Sequence, residues 1–82
     1  PEVKGRNMEP LIVHLQAEPD KELSQHDGEE FIYVLQGEVV LEIGEDHFEL
    51  SPGDSAYYLS TIPHFIAAKD DVATILAVIY DK

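Results

Sequence analysis

Apolar and polar residues alternate with a period of two along most of this chain, and this pattern constrains the fold more than any other feature. In residues 38–43, for example, three aliphatic side chains alternate with two glutamates and a valine. Short alternating segments bounded by glycine and proline are typical of β-strands, and helical spacing is hard to find. We predict seven strands, at 11–15, 30–36, 39–43, 47–50, 55–59, 64–68 and 72–80. No segment is suited to the helical crossovers of a parallel sheet, so we predict an all-β, antiparallel barrel.

The length of 82 residues is enough for one domain with a thin hydrophobic core. We expect residues 1–10 to be an N-terminal extension or linker and residues 11–82 to form the barrel. The chain begins with Pro1 and not with an initiator methionine, and we therefore expect it to be part of a longer protein.

The charge balance excludes several partners. Seventeen acidic residues against five basic ones give a formal net charge of −12, which argues against direct contact with nucleic acid or an anionic membrane. No apolar run approaches the ~18 residues that a membrane span needs, and no secretory signal is visible. The absence of cysteine rules out disulfides, thiolate metal sites and cysteine nucleophiles. It also fits a reducing compartment, and we expect the protein to be cytoplasmic.

Two histidines and a glutamate form the one pattern that indicates a site for metal binding or catalysis. If residues 24–36 form a continuous strand, Ser24, His26 and Glu30 lie on one face of it, together with aliphatic side chains. His64 directly follows a proline at the start of a later strand, near one end of the barrel. A buried carboxylate must be paired, hydrogen-bonded or bound to a metal. Two imidazoles and a carboxylate that meet there would form a facial set able to hold Fe(II), Mn(II) or Zn(II).

The spacing of these residues resembles that of the cupin superfamily. The first cupin motif contains His-x-His, then a glutamate and then a glycine, and His26, Glu30 and Gly37 match its second half. The second motif contains a glycine followed by a histidine, which Gly53 and His64 match. The local sequence at residues 26–37, 50–55 and 60–64 is most similar to the C-terminal cupin domain of XRE-type helix-turn-helix transcriptional regulators.

This resemblance implies a double-stranded β-helix, or jelly roll, and a metal site. His26, Glu30 and His64 would be the metal ligands, with Fe, Mn, Ni or Zn as the candidate ions. Ser24, however, stands where the first histidine of the motif would be. Because neutral serine is a poor ligand for a divalent ion, the alternative is a satisfied polar cluster in a barrel that has lost its metal site.

The resemblance also implies a small-molecule ligand inside the barrel. Ser24, Tyr57 and Ala68, which stands at the Asn position of the second motif, would lie near this ligand. The alternative for Tyr57 is a core aromatic residue. We expect neither His14 nor His47 to be a ligand, and we assign no catalytic residue.

Three hypotheses about function follow. The first is a small-molecule sensor domain, not catalytic by itself, that belongs to a helix-turn-helix regulator whose upstream domain would contact DNA. The second is a small metal-dependent enzyme of the dioxygenase or isomerase type, and the third is a structural barrel without a ligand. We also expect a homodimer, because Phe31, Tyr33 and Leu35 form an apolar stripe on the face opposite Glu30.

Overall fold

Seven strands make up the regular structure of the protein. The structure is a computed structural model that describes residues 8–80. Its strands are β1 (Met8–Gln16), β2 (Glu29–Gln36), β3 (Val39–Ile43), β4 (Asp46–Leu50), β5 (Ser55–Leu59), β6 (His64–Ala68) and β7 (Val72–Tyr80). No helix occurs between residues 8 and 80, so none of the described chain is a helix that could cross a bilayer. The predicted all-β fold is confirmed.

The strands form two antiparallel sheets. One sheet has the order β1-β7-β2-β5 and the other has the order β4-β3-β6. Neighbouring strands are mostly distant in sequence, as in a jelly roll. The core lies between the sheets, where Ile32 and Val34 of the larger sheet and Val39 and Leu41 of the smaller sheet are almost completely buried.

Alternation along β2 places its side chains as the sequence predicts. Ile32 and Val34 face the core, whereas Phe31 and Tyr33 face outward and are exposed. The pairing of β2 with β7 shifts register just before the strand ends. Gly37 follows with a φ of 81°, and a Cβ there would lie 2.6 Å from the carbonyl oxygen of Val72. Only glycine fits this turn, which carries the chain from the larger sheet to the smaller one.

The first strand begins earlier than expected. Met8 pairs with Tyr80 and Pro10 pairs with Val78, so residues 8–10 are part of a strand although the sequence predicts an extension for residues 1–10. The remainder of that segment, residues 1–7, lies outside the described residues. Pro10 is tolerated because β1 is an edge strand, and edge strands are where sheets accommodate proline.

Candidate metal centre

The three predicted metal ligands meet at one end of the barrel. One ligand atom from each of His26, Glu30 and His64 can be chosen so that all three lie within 4.8 Å of one another. The Nε2 atom of His26 lies 2.8 Å from Oε1 of Glu30, and the Nε2 atom of His64 lies 3.3 Å from the same oxygen. His64 is buried and Glu30 is nearly so, whereas His26 is half exposed. His14 and His47 lie outside this cluster.

Backbone pairing brings the two histidines together. His64 begins β6, and Ser24 forms an isolated bridge with it through two backbone hydrogen bonds of 2.7 and 2.9 Å. The N–H group of His26 donates to the carbonyl oxygen of Ser60 at 3.0 Å. His26 thus reaches the cluster from a loop and not from a continuous strand over residues 24–36. The strand is interrupted because Gly28 has a φ of 106°, a backbone conformation that ends extended pairing.

The ring orientations place the Nε2 atom of each histidine, rather than Nδ1, at the centre of the cluster. Nδ1 of His26 lies 3.0 Å from the carbonyl oxygen of Asp27, and Nδ1 of His64 lies 2.8 Å from that of Ile62. A carbonyl oxygen only accepts, so both Nδ1 atoms carry the proton and donate it. In the neutral rings, both Nε2 lone pairs therefore point at the Glu30 carboxylate. A cation placed between these three acceptors would be stabilised by all of them.

This donor set fits a divalent metal ion. A metal about 2.0–2.2 Å from each nitrogen and oxygen would place neighbouring donor atoms about 3 Å apart. The observed separations of 2.8 and 3.3 Å lie around this value. The backbone carbonyl that holds each Nδ1–H is also the type of outer contact that orients metal-binding histidines.

Two hydroxyl groups hold the Glu30 carboxylate in place. Tyr58 donates to Oε2 at 2.8 Å, and Ser60 donates to Oε1 at 3.1 Å. Tyr58 is only 5% exposed, and Ser60 is completely buried. Burial, together with the hydrogen bond to Glu30, raises the pKa of Tyr58 above its usual value. The phenol therefore stays protonated and continues to donate to the carboxylate.

The predicted ligand-binding residues lie in three different places. Ser24 lines the cavity above the cluster. Tyr57 lies on the outer face of the larger sheet and is 63% exposed, and Ala68 is buried in the core and does not line the cavity. The reason is strand pairing: Glu30 lies opposite Tyr58, so Tyr58 faces inward and Tyr57 faces outward. Tyr58 thus contacts the cluster in place of the predicted Tyr57.

An acidic cavity of about 360 Å³ opens above the cluster. Its other described lining residues include three carboxylates at alternate positions of one loop, Glu18, Asp20 and Glu22, and the side chains Phe65 and Ile66. No lysine or arginine is among the described residues that line it. The resulting negative potential favours cations and disfavours anionic ligands. Sequence reasoning missed this feature, although the alternation of three acids within five residues could have indicated it.

Several solved structures are similar to this chain. The hydroxypropylphosphonic acid epoxidase from S. wedmorenis is 30% identical, with a TM-score of 0.80 over 90% of this chain and 44% of that one. A structure of FeII HppE in complex with substrate is 31% identical, with a TM-score of 0.80 over 90% of this chain and 46% of that one. An HTH_3 family transcriptional regulator from Vibrio cholerae shares the fold. It is 24% identical, with a TM-score of 0.84 over 100% of this chain and 47% of that one.

The family assignment depends on a match to nearly the whole chain. This chain spans less than half the length of each of these structures, and no curated protein matches it. A family model described as "Cupin domain" matches residues 11–80, which include all but the first three residues of the seven strands. The chain therefore belongs to the cupin family.

Proposed function

We propose that this chain is a small-molecule-binding sensor domain in which His26, Glu30 and His64 hold a divalent metal ion. One observation carries the proposal: Nε2 of His26 and Nε2 of His64 both lie close to Oε1 of Glu30, and a separate hydrogen bond holds each ring at Nδ1 and the carboxylate at Oε1. Bound Fe, Mn, Ni or Zn would supply a Lewis acid with open positions for a small molecule. The chain's own residues orient these donors at the floor of the cavity.

Ser24 supports a site with three protein ligands. It occupies the place where the cupin motif has a histidine, and its backbone rather than its side chain holds His64. Two histidines and one carboxylate are sufficient for a facial set. The carboxylates around the cavity favour a neutral or cationic small molecule. We therefore do not carry over to this chain the phosphonic acid named for the similar epoxidase.

The regulatory part of the proposal has its support in the sequence resemblance to XRE-type regulators. A ligand that binds one arrangement of the barrel better than another would bias the domain attached to it. With a net charge of −12, this domain would leave DNA contact to another part of a cytoplasmic regulator.

A metal-dependent enzyme of the dioxygenase or isomerase type is the second candidate. It is favoured by the three-ligand set and by the 31% identity to the structure of FeII HppE in complex with substrate. Substrate-dependent turnover by the metal-loaded protein would favour this candidate over the sensor. Saturable binding of a small molecule that is recovered chemically unchanged would favour the sensor.

Elemental mass spectrometry of protein purified without a polyhistidine tag or chelator tests the metal site. We expect close to one equivalent of Fe, Mn, Ni or Zn, and we expect the variant His64→Ala to lose it. The control is His47→Ala, since His47 is exposed and lies outside the cluster, and it should keep the metal. Wild-type protein that stays metal-free after reloading with all four ions would contradict the proposal.

A further inference from the structure

The chain between β1 and β2 gives the cavity its negative charge. Glu18, Asp20 and Glu22 lie in this segment, are exposed, and line the cavity above the cluster. We call these three residues the acidic rim. Lys21 stands among them in the sequence but does not line the cavity. Its Nζ atom lies 2.6 Å from Oε1 of Glu42 on the smaller sheet, so the one lysine of the segment is engaged elsewhere.

No described basic side chain neutralises the acidic rim. Between residues 8 and 80 the chain has two lysines and no arginine. Lys21 pairs with Glu42, and Lys69 pairs with Glu49 at 2.9 Å. The salt bridges among these residues include none of the three rim carboxylates. The acidic rim therefore presents three like charges that a cation entering the cavity would compensate.

The floor of the same cavity contains a buried acceptor that no described residue serves as a donor. His64, with 5% of its side chain exposed, lines the cavity. Its Nδ1–H group donates to the carbonyl oxygen of Ile62, so its Nε2 atom carries a lone pair. The polar atom beside Nε2 is Oε1 of Glu30, which is also an acceptor. The exposed rim and the buried floor of the cavity thus both favour a cation.

The acidic rim is not itself a site for a metal ion. In the described part of the chain, the one group of three donor residues whose ligand atoms lie within 4.8 Å of one another is His26, Glu30 and His64. The rim carboxylates do not form such a group, so they act on an ion from a distance. Their effect is therefore expected on the approach of the ion and not on its final coordination.

The size of this effect follows from Coulomb attraction and screening. A cavity of about 360 Å³ corresponds to a sphere about 9 Å across. At about 8 Å, one carboxylate raises the local concentration of a divalent ion about twofold at 0.15 M salt and about fourfold at 0.01 M salt, because the Debye length increases from about 8 to about 30 Å. Three carboxylates together raise it about 7-fold and about 60-fold, respectively, within the range known for charged clefts.

We propose that the acidic rim captures divalent metal ions and directs them through the cavity to His26, Glu30 and His64. This inference rests on the proposed metal site, but it holds for a sensor and for an enzyme alike. The rim speeds the association of the ion with the cluster, and it leaves the dissociation rate unchanged because it contributes no ligand to the bound ion.

Stopped-flow mixing of the metal-free protein with Co²⁺ tests this role. The ring of Tyr58 lies 5.1 Å from that of His64, so bound Co²⁺ should quench its fluorescence. The test variant is Glu18→Gln/Asp20→Asn/Glu22→Gln. The matched control is the exposed set Glu38→Gln/Glu49→Gln/Asp70→Asn, which makes the same chemical changes at positions that do not line the cavity. Both variants change the formal net charge from −12 to −9, so a difference between them reports position and not total charge.

We expect the rim variant to slow association about 7-fold at 0.15 M salt and about 60-fold at 0.01 M salt, with a dissociation rate within about twofold of wild type. The control should slow association by less than about twofold at 0.15 M salt, because its charges lie more than a Debye length from the cavity. Circular dichroism shows whether each variant is folded. If the rim variant does not fold, its three single substitutions decide, and each should slow association about twofold at 0.15 M salt.

The possible results separate this inference from the metal site on which it rests. Wild-type protein that binds no Co²⁺ would overturn the proposed site, and the role of the rim with it. Wild-type protein that binds Co²⁺ at the same rate as the rim variant would overturn the role of the rim alone. Equal slowing by the rim variant and the control would also overturn it, since total charge would then account for the effect. A rim variant that releases Co²⁺ much faster would show that the rim holds the bound ion and does not direct its entry.

Discussion

Removing one hydroxyl group from Tyr58 tests whether the carboxylate of the cluster is held as the structure indicates. The variant Tyr58→Phe keeps the aromatic ring and its packing, and it removes only the hydrogen bond of 2.8 Å to Oε2 of Glu30. Glu30 keeps the bond from Ser60 to its other oxygen. The effect of the variant therefore reports how strongly the phenol fixes the carboxylate.

The expected magnitude follows from the burial of both partners. A hydrogen bond to a charged group contributes about 1.5–3 kcal/mol to stability. Tyr58 is 5% exposed and the Glu30 side chain is 12% exposed, so water compensates little for the lost donor. We expect the free energy of unfolding of the metal-free protein to fall by about 1.5–3 kcal/mol. Metal affinity should fall by about 10- to 100-fold, as it does when an outer contact of a ligand is lost.

Urea denaturation of the metal-free protein and titration with Co²⁺ measure these two effects. The matched control is Tyr57→Phe, which makes the same chemical change at the neighbouring, outward-facing tyrosine and should change stability by less than about 0.5 kcal/mol. Equal stability of the two variants would refute the claim that Tyr58 holds Glu30. A stability loss without any change in metal affinity would show that Tyr58 supports the barrel but does not position a ligand.

Two further predictions concern the fold. Gly37→Ala should destabilise the protein more than Gly53→Ala in thermal unfolding: both glycines have positive φ, but a Cβ meets backbone atoms only at Gly37. Equal losses would contradict the close approach seen at Gly37. The hydrogen bond from Lys21 holds the pKa of Glu42 below its usual value, so this pair stabilises the fold at neutral pH and stops doing so as pH falls through the lowered pKa. When the pH is lowered from ~7 to ~3, the urea concentration at the midpoint of unfolding should fall further for the wild-type protein than for Lys21→Gln. Equal decreases would show that the pair contributes nothing.

Local sequence patterns were sufficient to predict most of the strands. The predicted ranges 39–43, 55–59, 64–68 and 72–80 agree with the observed strands, because alternating side chains and the turns between them are local properties. The start of β1 was not predictable in the same way. A proline normally argues against a strand, and Pro10 is acceptable only because β1 lies at the edge of its sheet. Edge position depends on the complete topology.

The candidate site, too, could be predicted from the sequence only in part. Spacing and family resemblance singled out His26, Glu30 and His64, and the structure places them together. Neither Tyr58 nor Ser60 could be identified in advance. Which of two adjacent tyrosines faces inward depends on the pairing of β2 with β5, and a shift of one residue would exchange them. The acidic cavity depends on the path of a loop that an isolated bridge between Ser24 and His64 joins to the smaller sheet.

The same contacts explain why a cluster of this kind does not depend on the side chain of Ser24. Ser24 holds His64 through its backbone N–H and carbonyl groups, and these are the same for every residue type except proline. The ring of each histidine is oriented by a backbone carbonyl, and the carboxylate is oriented by buried hydroxyl groups. A fourth side chain would add a donor but would not be needed to position the other three. The small neutral serine leaves that place open to the cavity, where a ligand could reach the three donors directly.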